Sequence, residues 1–148
     1  MNKTEIVKNL LHAIEQCNMK EASTYLTDDF TFTGAFPKAI NKNEWLEVHR
    51  KFDMAMPDFK FNAQDMNESG NVVNGTVQLS GTQSKELPSL MPGMPAVPAT
   101  NKKVQLPKEN FTVTFKGDKI NNLTVEKVPN GGVEGLLKQL GVSVPQMK

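Results

Sequence analysis

"INKNEWLEVHRKFDMAMPDFKFNA", residues 40–63, changes its hydrophobic period partway along, and that change decides the fold class. Up to Met56 the apolar and aromatic positions Trp45, Val48, His49, Phe52, Ala55 and Met56 recur at three- and four-residue steps. Side chains so spaced share one face of an α-helix, whose turn takes about 3.6 residues. Asn41 is the expected N-cap, Glu44 completes a capping box, and Pro57 closes the run. Beyond Pro57 the period is two: Phe59, Phe61 and Ala63 alternate with Lys60 and Asn62, as on a strand with one buried face.

Working outward, helical spacing dominates upstream and strand spacing downstream. Ile6, Val7, Leu10, Leu11, Ile14 and Cys17 predict the buried stripe of a first helix over residues 4–18, and residues 20–26 predict a short second one. Asp28 and Asp29 are expected to end it and lead into the strand "FTFTG", residues 30–34. Downstream, Val73, Val77 and Leu79 alternate with polar residues, as do Phe111, Val113 and Phe115. "ESGN" at 68–71 and "KGDK" at 116–119 are glycine-bearing turns suited to antiparallel hairpins, and "NNLTVEKV" at 121–128 is the last strand. Helices first and a strand meander afterwards predict one α+β domain over residues 1–148, its helices packed on one face of a curved, mostly antiparallel sheet.

Residues 83–101 interrupt the meander. "LPSLMPGMPAVP" at 87–98 holds four prolines and no charge, so it fits neither a helix nor a central strand. A disordered segment would be polar, and this one is apolar. The expectation is an ordered loop whose Leu90, Met91, Met94 or Val97 touches a pocket mouth or a partner subunit.

Seventeen basic and sixteen acidic residues, interleaved, give a net charge of +1 and no field to draw in nucleic acid or an anionic membrane. The single cysteine excludes an internal disulfide, and two histidines beside it make a metal site improbable. No apolar run approaches the roughly 20 residues that span a bilayer. The opening "MNKTEIVKNLLHAIEQ" lacks the apolar core of a signal peptide, so a cytoplasmic setting is expected. No phosphate-binding glycine loop or nucleophile elbow is present, and no cofactor is expected.

Proton transfer needs a titratable group in a desolvated pocket and a donor facing the charge that develops. His49, on the aromatic face of the long helix, is the leading candidate base, with Asp53 one turn on as its possible orienting partner. Tyr25, Phe32, Trp45 and Phe52 are candidate apolar walls, Met91 and Met94 a candidate cover, and Gln78, Tyr25 and Asn110 candidate donors. Glu109 and Asp65 read as surface carboxylates and His12 as exposed.

"DDFTFTGAFP" at 28–37, "MPDFKF" at 56–61 and "GGVEGLLKQLGV" at 131–142, in this order and spacing, resemble the SnoaL-like, polyketide-cyclase-like branch of the nuclear-transport-factor-2-like superfamily. The resemblance covers nearly the whole chain. It implies a cone-shaped half-barrel with helices on the concave side, an apolar pocket of the roughly 300–1,000 Å³ usual for ligand sites, and a homodimer through the outer face of the sheet. SnoaL-like cyclases use a histidine and an aspartate from the late strands. Here no histidine follows His49, Gln83 and Asn110 stand near the places where one would be sought, and Glu126 is the counterpart of the aspartate. Two functions follow: binding of a small, largely apolar molecule, or cofactor-free cyclase or isomerase chemistry by Glu126 or His49.

Overall fold

Asn2, Asn18 and Asn41 each stand three residues before a glutamate, and each caps a helix. Their side-chain oxygens accept the backbone N–H of Glu5, Glu21 and Glu44 at 2.8, 3.1 and 2.9 Å. At Asn41 the Glu44 carboxylate also reaches back to the cap N–H at 2.9 Å, which closes the expected capping box. The helices so started are α1 (Lys3–Glu15), α2 (Met19–Thr24) and α3 (Lys42–Ala55). In the computed structural model, residues 2–34, 38–90 and 94–142 are described.

The strands are β1 (Leu26–Thr33), β2 (Ile40–Asn41), β3 (Gln64–Ser69), β4 (Val72–Val77), β5 (Ser80–Thr82), β6 (Lys103–Gln105), β7 (Glu109–Lys116) and β8 (Lys119–Val125), and α4 (Gly132–Gln139) follows them. Six strands form one curved, unclosed sheet in the order β2-β1-β8-β7-β4-β3; β5 and β6 pair separately. All pairings are antiparallel except β1 with β8. That parallel contact brings the first strand beside the last and makes the α+β half-barrel. Gly34 is required there: it has φ +116°, and a Cβ would lie 1.9 Å from the Val125 carbonyl oxygen.

α1 and α3 lie on the concave side, where Val7, Leu11, Val48 and Phe52 face Phe111, Leu123 and Val77 from the sheet. The outer face is uncharged and polar over its centre. Thr33 bonds Thr124 at 2.9 Å, the Asn122 amide donates to Thr31 Oγ1 at 2.8 Å, and Thr112 donates to Asn74 at 2.9 Å.

Several expectations shift. Cys17 is exposed rather than part of the core stripe, because α1 ends at Glu15 and Cys17 takes a left-handed φ of 56° in the turn to α2. Asp28 and Asp29 lie within β1, exposed where its register against β8 is irregular. Phe59 and Phe61 point inward as their alternation demands, yet the regular strand begins only at Gln64; Lys60 makes a lone bridge to Ser80.

The described part of the proline-rich segment is ordered by a buried glutamine. Gln83, wholly shielded from solvent, donates from Nε2 to the carbonyls of Val97 and Pro98 at 3.0 and 3.1 Å. Its Oε1 accepts from Thr100 N–H and Oγ1–H at 3.1 and 2.6 Å. Leu87 and Val97 exchange backbone hydrogen bonds of 2.8 Å, and both are buried with Leu90. Gln83 thus does for this loop what strand pairing does elsewhere, satisfying backbone groups that burial would otherwise leave unpaired.

Candidate functional site

The cone encloses a cavity of about 80 Å³ with an almost wholly apolar wall. This is well below the expected size. The difference is filled by rings: Trp45, His49, Phe52, Phe59 and Phe61 pack in a continuous cluster with neighbouring centroids 4.8–5.8 Å apart.

Phe32, Trp45, His49 and Phe52 line the cavity, as the helical stripe and the first strand predict. His49 is 6 % exposed, and four aromatic rings surround it. Burial pushes its pKa down to about 3, so it is a neutral imidazole at pH 7. Its Nδ1 has no hydrogen-bond partner, and no bond joins it to Asp53. Asp53 turns from the cavity toward Cys17 and Glu15, and desolvation there raises its pKa to about 7. The expected His49–Asp53 pair is therefore not formed.

Glu126 stands just beyond β8, exposed, and accepts from the Asn110 side-chain amide at 2.6 Å. Neither residue lines the cavity, because the inward residues at that end of β8 are Leu123 and Val125. Gln78 is outside it too, between the lining residues Val77 and Leu79. Tyr25 donates its hydroxyl to Glu21 at 3.2 Å, away from the site. Met94 packs against the core without reaching the cavity, and no described residue of 83–101 lines it; Met91 lies outside the described residues.

The carboxyl that does enter is Glu109, 4 % exposed at the start of β7, which corrects its reading as a surface residue. It shares the inward parity of Phe111, Val113 and Phe115, so extending that alternation by one step would have found it. Gly131 and Gly132 at the start of α4 make room for it: a Cβ on Gly131 would stand 2.9 Å from Glu109 Oε1. The Gly132 N–H bonds the carboxylate and favours its ionised form, but desolvation outweighs this and raises the pKa to about 7. Glu109 and His49 are the titratable groups among the described lining residues. No three His, Cys, Asp or Glu side chains among the described residues gather as a metal would need, and no described helix is long and apolar enough to cross a membrane.

The chain belongs to the SnoaL-like family: the SnoaL-like domain profile matches residues 7–123. No curated protein matches the sequence. Among solved structures it is similar to IdmH of Streptomyces antibioticus, whose assignment as a polyketide cyclase is itself provisional, with 18 % identity, 96 % of this chain and 100 % of that one covered, and a TM-score of 0.72. It is also similar to a SnoaL-like polyketide cyclase of Agrobacterium tumefaciens (16 % identity, 84 % and 90 % covered, TM-score 0.64). A third is an NTF2-like protein of unknown function from Cytophaga hutchinsonii (19 %, 87 % and 92 %, TM-score 0.60). At these identities the likeness is one of fold.

Proposed function

We propose that the protein binds a small, largely apolar molecule in the cone and that Glu109 exchanges a proton with it, as a cofactor-free isomerase or cyclase would. The observation that carries this reading is a carboxyl with a pKa of about 7 in the wall of an apolar cavity. Such a group is divided between acid and base near neutral pH, the condition under which proton transfer in either direction is efficient. Glu109 replaces Glu126 in the role, and His49, held neutral among rings, serves as wall rather than base.

The test uses butanone, which is small and has exchangeable hydrogens beside its carbonyl. In deuterated buffer the protein is expected to shift the methyl resonances of Val7, Leu11 and Leu136, which line the cavity, and to speed deuterium uptake by the ketone. Binding without exchange would make the protein a carrier. Absence of binding by butanone and by its hydrocarbon analogues would refute the reading.

Pairing of two copies through the outer sheet face is part of the same proposal. Thr31, Thr33, Thr112, Asn122 and Thr124 offer an uncharged polar surface there, and self-complementary contact needs no charge pairing. Sedimentation equilibrium at micromolar concentration is expected to give twice the chain mass, and Thr112→Arg to reduce it to one. A wild-type monomer would remove the dimer.

A further inference from the structure

The side chains that line the cavity are nearly all buried, so entry of a guest calls for one wall to give way. Most of the walls are braced. β1, β8, β7 and β4 are laddered in one sheet, β5 is paired with β6, and α1 and α3 carry asparagine caps. The stretch from Met56 to Phe61 is tied down as well: Lys60 and Ser80 exchange backbone bonds of 3.0 and 3.1 Å, and the Glu15 carboxylate accepts the Phe61 N–H at 2.9 Å.

α4 is the exception. It contributes Gly132, Val133 and Leu136 to the wall, yet among the described residues its backbone–backbone bonds stay within its own turns and the residues beside them. Gly131 gives it no side-chain cap. Two polar links among the described residues join it to the sheets. At its far end Gln139 Oε1 accepts the Gln105 N–H at 3.0 Å and Gln139 Nε2 donates to the Gln105 carbonyl at 2.8 Å. At its near end the Glu109 carboxylate accepts the Gly132 N–H. Eight residues make a marginal helix alone, so α4 depends on burying Val133, Leu136 and Leu137 over the cone.

The connection from β8 has the form of a pivot. Glu126 is still held to the sheet, its N–H donating to the Asn110 carbonyl at 2.8 Å, but Lys127, Pro129 and Asn130 beyond it are exposed. Asn130 and Gly132 take left-handed φ values of 63° and 66°, which set the angle at which α4 leaves the strand. A few exposed residues between two regular elements are enough to absorb the dihedral change of a hinge.

We propose that α4 is a lid on the cone, swinging as one body about residues 126–131 to admit a guest and closing again on the Gln139 and Glu109 bonds as latches. The proposal rests on the small-molecule reading of the same cavity and adds the route of entry. Opening also uncovers Glu109, since Gly131 lies so close that a Cβ there would stand 2.9 Å from its Oε1. The closed lid thus withholds water from the carboxyl and the guest together.

Amide hydrogen exchange on the wild-type chain tests the lid before any guest is added. The amides of residues 136–139 are expected to exchange as a group, at least about tenfold faster than those of residues 48–52 in α3. Gln139→Ala, at an exposed position, removes both bonds to Gln105. It is expected to speed the α4 amides about tenfold, to leave those of α3 unchanged, and to speed the exchange of butanone with the cavity by a similar factor. The last rate is read from the methyl line shape of Leu11, which lines the cavity from α1.

If the α4 and α3 amides exchange at one rate, α4 opens only when the whole chain unfolds and is no lid, whether or not butanone binds. If Gln139→Ala frees α4 but butanone enters at the wild-type rate, the guest takes another path: the lid is wrong while the small-molecule reading stands. If butanone does not bind, the small-molecule reading falls and the lid with it.

Discussion

Glu109→Gln is expected to lower protein-catalysed deuterium exchange into butanone by at least about 100-fold while leaving butanone binding within a factor of a few. Glutamine matches the shape of the protonated carboxyl but cannot accept the proton. Contacts made equally with ground state and transition state survive, and the loss falls on turnover. In the wild-type chain the exchange rate is expected to rise with pH through about 7 and then level off, since only the ionised Glu109, with its pKa of about 7, can act as base. A rate that follows the ordinary glutamate range, near pH 4.5, would place the reacting carboxyl outside the cavity. Equal turnover in the variant and the wild type would remove Glu109 from the chemistry.

The α3 stripe was fully readable, because capping box, helical period and closing proline all act locally; Trp45, His49 and Phe52 consequently reach the cavity. Glu109 faces inward and Glu126 outward, the reverse of what was expected, because sheet parity is a non-local property. β8 has a register shift against β7 between Thr114 and Phe115, so counting by twos along β8 alone does not reveal which side faces in. On β7 the alternation is unbroken from Glu109 to Phe115, but a charged residue is ordinarily exposed, and here burial overrides that preference. α4 was matched only as a family motif, since Gly131 supplies no side-chain cap and the helix gains its stability by burying Val133, Leu136 and Leu137. The function of Gln83 could not be read at all: its four bonds span 14 to 17 residues of loop that no periodicity describes.

Stability against pH is expected to set this protein apart from one whose buried carboxylates are paired. Glu109 and Asp53 both have pKa values raised to about 7, from 4.5 and 3.8, with desolvation the main cause. Around Asp53 the Glu15 charge raises the value further, the Cys17 thiol lowers it by hydrogen bonding, and Arg50 is paired with Glu47 instead. The folded state therefore holds two protons that the unfolded chain releases near pH 4. Between that pH and about 7 the folded form binds more protons than the unfolded form, so stability falls as pH rises. The combined loss is on the order of 4 kcal/mol after allowance for the solvent that still reaches Asp53. Below pH 4 the opposite group takes over: Asp58, which accepts the Thr82 N–H at 2.7 Å, has a lowered pKa and loses its contribution on protonation. Unfolding by urea is accordingly expected to show greatest stability near pH 4 and a decline up to about pH 7. Glu109→Gln and Asp53→Asn should each flatten part of that decline, and together most of it. A wild-type profile that rises from pH 5 to 7 would show that neither carboxyl is held protonated in the fold, and Glu109 would then lack the property on which its proposed chemistry depends.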